Sequence, residues 1–205
     1  MDFLQENNID YSNVTATGCD GTAVNTGQKG GIIRLLEEKM NSPVHWFICL
    51  LHTNEVPLRH LIETIDGKTS GPPCFTGNIG KELQHCEQKE IVSFQPIESD
   101  PIEVDMEILS KDQKYLLLIY RAVGNGSVQQ NLSSTSPGTM HHARWLTTAN
   151  RILRLYVSTN EPSSDLLVLV ESLCTSMVCN KMSLISQRGS KTFLQSIFKI
   201  KISSY

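Results

Sequence analysis

The sequence has no long hydrophobic run and no excess of basic residues. Its 205 residues contain 18 lysines and arginines against 21 aspartates and glutamates, so the formal net charge is −3. No apolar segment reaches the roughly 18 residues that a membrane-spanning helix requires. Strong nucleic-acid binding usually rests on a basic surface, and this composition argues against a dedicated one. Any contact with DNA must therefore be local, and no membrane association is expected.

The first residues also lack the charged and apolar regions of a signal peptide. The six cysteines follow no short, regular framework of the kind found in small disulfide-rich domains. We therefore interpret them as reduced thiols and expect a nuclear or cytoplasmic protein that is not secreted. A hydrophobic content of 40% and a charged content of 19% are typical of a globular chain.

The most informative segment runs from Gly18 to Gly27 and reads Gly-Cys-Asp-Gly-Thr-Ala-Val-Asn-Thr-Gly. Residues 13–17, which are rich in β-branched side chains, predict a short strand before it. Residues 30–40 predict a helix after it. Asp20 therefore lies at a strand-to-helix crossover, which is where open α/β sheets bind their ligands. The spacing lacks the lysine and hydroxyl residue of a phosphate-binding loop. An isolated aspartate at this position could equally cap a helix or shape a turn.

The remainder of residues 1–67 completes a βαβα pattern. Residues 44–51 form an apolar run that is typical of a buried strand. Apolar residues at helical spacing follow over 58–65, with Gly67 as a stop and Pro57 expected in the first turn. The fold class is therefore α/β in this part of the chain.

The remaining chain divides into three segments. Residues 68–109 are rich in turn residues and predict a loop-rich bridge with one short helix at 79–87. Residues 110–180 predict three helices, the first beginning with a capping box of Ser110 and Gln113, the second over 140–158 and the third starting at Pro162. Residues 181–205 form a divergent tail, with a weak strand or a frayed end at 198–202.

Two further groups of residues could carry chemistry. Cys49 and His52 have a spacing seen in zinc sites, although the histidines and cysteines that could complete such a site are irregularly spaced. Cys49 could instead be a thiol buried in a strand. Arg144 and Trp145 place a guanidinium next to an indole at a helix start, a pair able to grip phosphate and stack on a base. The default expectation is a solvated Arg144 beside a core-facing Trp145.

Taken in order, three segments resemble landmarks of hAT-superfamily transposases: Gly18 to Gly27, Cys49 to Glu55, and His142 to Thr148. The resemblance covers about residues 1–175. It implies a partial ribonuclease-H-like βαβα unit in residues 1–67, followed by a mostly α-helical region in which residues 110–180 are similar to the family's helical insertion.

The same resemblance implies a role for each motif. Asp20 would correspond to one of three acids that hold Mg²⁺ or Mn²⁺ for DNA cutting and joining. Cys49 and His52 match the family's Cys/Asp-x-x-His motif, whose role here is uncertain. Arg144 and Trp145 match its Arg-Trp motif, in which the tryptophan supports an extruded base. The family's other two acids have no counterpart in this sequence, so we expect Asp20 to be vestigial, no tightly bound metal and no strand cleavage.

A core that is missing the family's first hairpin would expose a sheet edge, so we expect a second copy or another protein to cover that edge. Two hypotheses follow. The first is a transposase-derived fragment without catalytic activity that retains weak DNA or protein binding. The alternative is a helical protein-interaction scaffold with no role in DNA binding. Burial of Trp145, together with an alanine variant that unfolds without a specific effect on DNA, would favour it. A small zinc-binding protein is a third possibility.

Overall fold

The computed structural model describes residues 14–69, 75–141 and 144–179. The chain divides into two compact units, Met1–Thr53 and Asn54–Tyr205. Within the described residues the fold is mixed α/β and mostly helical, with eight α-helices and a small sheet of two parallel strands. The predicted α/β class is therefore confirmed. The weak strand predicted at 198–202 lies outside the described residues.

The first unit consists of two parallel strands that are connected by helices. Strand β1 spans Ala16–Cys19, the single-turn helix α1 spans Ala23–Thr26, helix α2 spans Ile32–Met40, and strand β2 spans His45–Ile48. The strands pair in parallel from Ala16 opposite His45 to Cys19 opposite Ile48. The predicted crossover is confirmed, since a helix connects the two parallel strands as expected. Helix α1 was not predicted.

Strand β2 corrects the prediction of a buried strand over residues 44–51. All four of its residues are exposed, and Trp46 retains 47% of its accessible surface. The strand also ends at Ile48, because the apolar run continues into a helix at Leu50. An apolar run alone could not indicate either outcome, since it fits strand and helix equally well.

Helix α3 spans Leu50–Asp66, which makes the predicted position of Pro57 wrong. Pro57 lies inside this helix rather than in its first turn. The helix begins early because the Cys49 carbonyl oxygen accepts hydrogen bonds from the Thr53 amide at 3.0 Å and the Thr53 hydroxyl at 3.2 Å. Proline has no N–H, so α3 lacks the bond that residue 57 would donate one turn back.

The second unit contains the larger core. Helix α4 spans Asn78–Leu83, α5 spans Lys111–Asn125, α6 spans Gln130–Ser133, α7 spans Trp145–Tyr156 and α8 spans Ser164–Cys179. Two short 3-10 turns occupy Cys86–Gln88 and Met106–Ile108. Helices are present where they were predicted, but their bounds differ. The helix predicted at 79–87 ends at Leu83, the one predicted over 140–158 spans only Trp145–Tyr156, and the one predicted from Pro162 begins at Ser164. Helix α6 was not predicted.

Helix α7 is the centre of this unit, because all of its residues are buried. It packs against α5, α8, α4 and the 3-10 turn Cys86–Gln88. The capping box predicted for α5 is present, and Gly126 ends that helix in a left-handed conformation with φ of 69°. Glycine adopts that conformation without steric cost, which explains the sharp stop.

The loop-rich bridge is tied to these helices by hydrogen bonds. The Val92 amide donates to the Val157 carbonyl oxygen at 3.0 Å, and the Tyr156 hydroxyl donates to the Gln95 carbonyl oxygen at 2.7 Å. The Tyr120 hydroxyl donates to the Asp100 carbonyl oxygen at 2.7 Å. An extended segment without regular structure thus satisfies its polar groups on the ends of α5 and α7.

Candidate functional site

The first candidate site lies where β1 and β2 end. Asp20 follows the last residue of β1, and Cys49 follows the last residue of β2. The Cys49 amide donates to the Cys19 carbonyl oxygen at 2.9 Å, which extends the ladder by one bond. The carboxyl ends of the two parallel strands therefore bring Asp20 and Cys49 to one edge of the sheet, as the crossover predicts.

Asp20 is exposed, and its Oδ1 atom organises the turn that follows β1. It accepts hydrogen bonds from the Thr22 hydroxyl at 2.6 Å, the Thr22 amide at 3.1 Å and Asn25 Nδ2 at 2.7 Å. An aspartate that accepts the amide two residues ahead forms an Asx-turn. The structure thus places Asp20 in a turn that leads into α1.

These donors also set the charge state of Asp20. The Thr22 hydroxyl, then the Thr22 amide and Asn25, hold the pKa of the Asp20 carboxyl below its ordinary value, and His52 lowers it further. Hydrogen bonds to a carboxylate favour its charged form. In the neighbouring Cys19, burial first and then the Asp20 charge raise the pKa of the thiol.

His52 lies beside the Asp20 turn. A Cβ atom added to Gly21 would stand 3.5 Å from His52 Cδ2, so the imidazole packs against the turn backbone. The Cys49 thiol is free and exposed, so the interpretation of Cys49 as a thiol buried in a strand is wrong. Cys49 is exposed because β2 ends at Ile48 and the chain turns into α3.

Within the described residues, no three histidines, cysteines, aspartates or glutamates lie close enough together to hold a metal ion. The donors near Asp20 are also a poor match for the Mg²⁺ that the transposase resemblance implies. Cys49 and His52 offer sulfur and nitrogen, whereas Mg²⁺ prefers oxygen ligands in near-octahedral geometry. The residues present therefore do not fit a two-ion magnesium site.

Three other acids of residues 1–67 have partners of their own. Glu37 Oε1 accepts the Val44 amide at 3.1 Å, which ties the end of α2 to the start of β2. Glu55 is buried and pairs with Arg59 at 3.1 Å. Asp66 accepts the amides of Ile79 at 2.9 Å and Gly80 at 2.6 Å, at the start of α4.

The second candidate site is the start of α7 in the other unit. Arg144 is the N-cap of this helix, with an extended backbone and an exposed side chain. Trp145, the next residue, is buried with 3% of its surface exposed. The expected division between a solvated Arg144 and a core-facing Trp145 is thus observed. His142 and Ala143 of the same motif lie outside the described residues.

Sequence reasoning did not find the groups that surround these residues. Thr22 and Asn25 fix Asp20, and the Asp-x-Thr spacing could have indicated the Asx-turn. The buried guanidiniums of Arg151 and Arg154 carry no sequence signal, because they lie on the side of α7 opposite its apolar face, where surface residues are expected. Only the packing of helices on every side of α7 reveals that they are interior.

Comparison of the chain with models of protein families, with curated proteins and with solved structures finds no match. No helix in the described part of the chain is long and apolar enough to cross a membrane.

Proposed function

We propose that this chain derives from a hAT-superfamily transposase and acts as a binding module that does not cut DNA. The observation that carries the proposal is the parallel crossover with Asp20 and the Cys49–His52 motif at neighbouring strand ends. The Arg144–Trp145 motif follows at the start of a helix in the helical region. Three motifs in the family's order, each at an element boundary, support a partial ribonuclease-H-like unit followed by a helical insertion.

The absence of cleavage is proposed on the geometry of Asp20. Its Oδ1 atom already accepts three hydrogen bonds that build a turn, and its neighbours Cys49 and His52 are not magnesium ligands of choice. A two-ion mechanism requires several carboxylates that hold both ions about 3.5–4 Å apart. Glu37, Glu55 and Asp66 serve the fold through their own contacts. Asp20 is then a vestige of a metal site that has a local structural role.

Residual DNA binding would rest on Arg144. Its exposed guanidinium can contact a phosphate, whereas Trp145 would have to leave the core to stack on a base. One phosphate contact in a chain of net charge −3 gives weak, salt-sensitive binding. The DNA role is therefore limited to a local contact at the start of α7.

A helical protein-interaction scaffold is the second candidate. It is favoured by the burial of Trp145 and by the exposed apolar side chains of the first unit, among them Trp46 at 47%, Phe47 at 38% and Ile48 at 36%. Strand edges and apolar side chains exposed together are typical of surfaces that another chain covers. A partner protein or a second copy would pair with β1 or β2.

An assay with labelled duplex DNA, in the presence of Mg²⁺ or Mn²⁺, tests both candidates. The proposal predicts weak retardation that Arg144→Gln reduces, while the exposed control Lys81→Gln leaves it unchanged, and no nicking by either protein. Metal-dependent nicking that disappears in Asp20→Asn would contradict the non-cleaving module. Equal retardation by the wild type and Arg144→Gln would show that Arg144 is not the contact, and no retardation by either protein would remove the DNA role and favour the scaffold.

A further inference from the structure

Two buried polar side chains on one side of α7 have hydrogen-bonding atoms without a partner. Asn150 is 0% exposed and Arg154 is 2% exposed, and their spacing of four residues places them on adjacent turns of the same side of the helix. The Oδ1 atom of Asn150 and the Nε and Nη1 atoms of Arg154 have no hydrogen-bond partner among the residues that the structure describes. A buried polar atom in this state is costly, and a charged donor is more costly still.

The other atoms of both side chains hold them in place. Asn150 Nδ2 donates to the carbonyl oxygens of Asp112 at 3.2 Å and Pro137 at 3.3 Å. Arg154 Nη2 donates to the Ser133 carbonyl oxygen at 3.3 Å and to a carbonyl oxygen of the bridge at 3.0 Å. Only an amide nitrogen can donate to two carbonyl oxygens, so the orientation of Asn150 is fixed and Oδ1 is the end left over.

Tyr115 of α5 brings a third such group to the same region. The residue is 3% exposed, and its hydroxyl has no partner among the described residues. Tyr115 lies one turn after Asp112, whose carbonyl oxygen accepts from Asn150. Tyr115 also lines a cleft together with residues of α6, the helix whose Ser133 carbonyl oxygen accepts from Arg154. Two separate contacts therefore place the Tyr115 side chain beside the polar side of α7.

The direction of the two helices agrees with this position. The Val157 carbonyl oxygen, just after α7, accepts from the Val92 amide at 3.0 Å, and the Val123 carbonyl oxygen of α5 accepts from the Ile97 amide at 3.2 Å. If the helices ran in opposite directions from their first contact, the two carbonyls would stand about 27 Å apart. The five residues of bridge that join them span at most about 18 Å. The helices therefore run in the same general direction, and the turn that carries Tyr115 lies beside the later turn of α7.

The chemistry of the three groups selects the molecule that can satisfy them together. Asn150 Oδ1 only accepts, Arg154 Nε and Nη1 only donate, and the Tyr115 hydroxyl does both. An anion satisfies the guanidinium but cannot donate to Oδ1, and a metal cation has the opposite defect. A water molecule both donates and accepts, and buried waters typically make about three hydrogen bonds to polar groups that have no other partner.

We propose that an ordered water molecule binds between α5, α6 and α7, where it donates to Asn150 Oδ1, accepts from Arg154 and hydrogen-bonds to the Tyr115 hydroxyl. Because all three residues are buried, this water exchanges slowly with the solvent. It links the helices of the second unit through their polar sides. The site lies in the second unit alone and does not depend on the hAT origin of the chain.

Oxygen-17 relaxation dispersion of the whole chain tests the site, because it counts water molecules that stay bound for longer than the protein takes to tumble. The double variant Tyr115→Phe/Arg154→Met leaves Asn150 Oδ1 as the only partner, below the two to four that a buried water needs. We expect the dispersion amplitude to fall by about one water molecule. The carbonyl oxygens that Arg154 releases belong to half-buried residues, so solvent can replace the guanidinium there.

A matched control makes the same two changes elsewhere in the second unit. Tyr120→Phe/Arg121→Met alters side chains whose donors already bind the carbonyl oxygens of Asp100 at 2.7 Å and Ile102 at 2.9 Å. This control should keep the wild-type amplitude. Equal amplitudes in the wild type and both double variants would overturn the proposal.

Thermal unfolding of single variants decides the question even where the double variant does not fold. Tyr115→Phe should lower Tm by roughly 2–4 °C, as expected for one lost hydrogen bond. Tyr120→Phe, which loses a bond to a carbonyl oxygen, provides the reference for that loss. Removal of a buried hydroxyl that has no partner relieves a cost instead. An unchanged or higher Tm in Tyr115→Phe would therefore overturn the proposal.

Discussion

Asp20 serves local structure at the position where the transposase resemblance implies a catalytic acid. Its Oδ1 atom accepts from Thr22 and Asn25 and so connects the end of β1 to α1. A carboxylate held in this way is stabilised in its charged form. The structural role alone accounts for an aspartate at this position, whatever chemistry the transposase resemblance implies for it.

We predict that Thr22→Val raises the pKa of Asp20. The variant removes the hydroxyl that contributes most to lowering this pKa, while His52→Gln, which removes a smaller contribution, should raise it less. Because the folded-state pKa is depressed, the associated stabilisation is present above the ordinary aspartate pKa and is lost as the pH falls through the folded value. Titration of the Asp20 carboxyl carbon by NMR measures the shift. An unchanged pKa in Thr22→Val would contradict the assigned turn.

Trp145 provides a second prediction at this scale. The chain contains two tryptophans, so Trp46→Phe leaves Trp145 as the only indole. Since Trp145 is buried, its fluorescence should be blue-shifted and should not change when DNA is added. Trp145→Ala should cost about 3–5 kcal/mol of unfolding free energy, whereas exposed Arg144→Ala should change it by less than about 0.5 kcal/mol. Quenching of Trp145 by DNA would support base stacking instead.

At the scale of elements, local sequence predicts the start of α5 and the buried faces of α5 and α8. The capping box of Ser110 and Gln113 is a local signal, and α5 begins at the residue after Ser110. The apolar faces of α5 and α8 are buried as their spacing predicts, including Leu116 and Leu169, both at 0% exposure. Periodicity succeeds there because each helix buries one stripe.

We predict that Ser110→Ala lowers the unfolding free energy by about 1 kcal/mol, because the Gln113 amide loses its capping acceptor. Ser110→Asp keeps an acceptor at the N-cap and should retain most of the stability. Denaturant unfolding of the three proteins gives the comparison. Equal losses in both variants would show that the capping bond is not the source of the effect.

The limits of other elements could not be predicted, because apolar spacing alone does not show where a strand ends and a helix begins. The apolar run 44–51 contains both the end of a strand and the start of a helix, and only the turn at Cys49 separates them. The prediction that Pro57 lies in the first turn of a helix followed from a general steric rule. Helix α3 starts at Leu50 and therefore contains Pro57 in its interior. Helix α6 could not be predicted either, since it lies in a polar segment without periodicity.

In the molecule as a whole, the two compact units contain different groups of candidate residues. The first contains the parallel strands with Asp20, Cys49 and His52, and the second contains the helical core with Trp145, Arg151 and Arg154. The proposed origin links motifs in both units.

Calorimetric titration of the chain with Mn²⁺ distinguishes an Asp20 with a purely structural role from one that still holds a metal ion. Asp20→Asn is the matched control, because the asparagine oxygen can still accept from Thr22 and Asn25 while the charge is lost. We predict no saturable, stoichiometric binding at micromolar Mn²⁺ and the same titration curve for both proteins. Stoichiometric micromolar binding that disappears in Asp20→Asn would show that Asp20 still holds a metal ion, and would contradict its assignment as a vestige with a structural role.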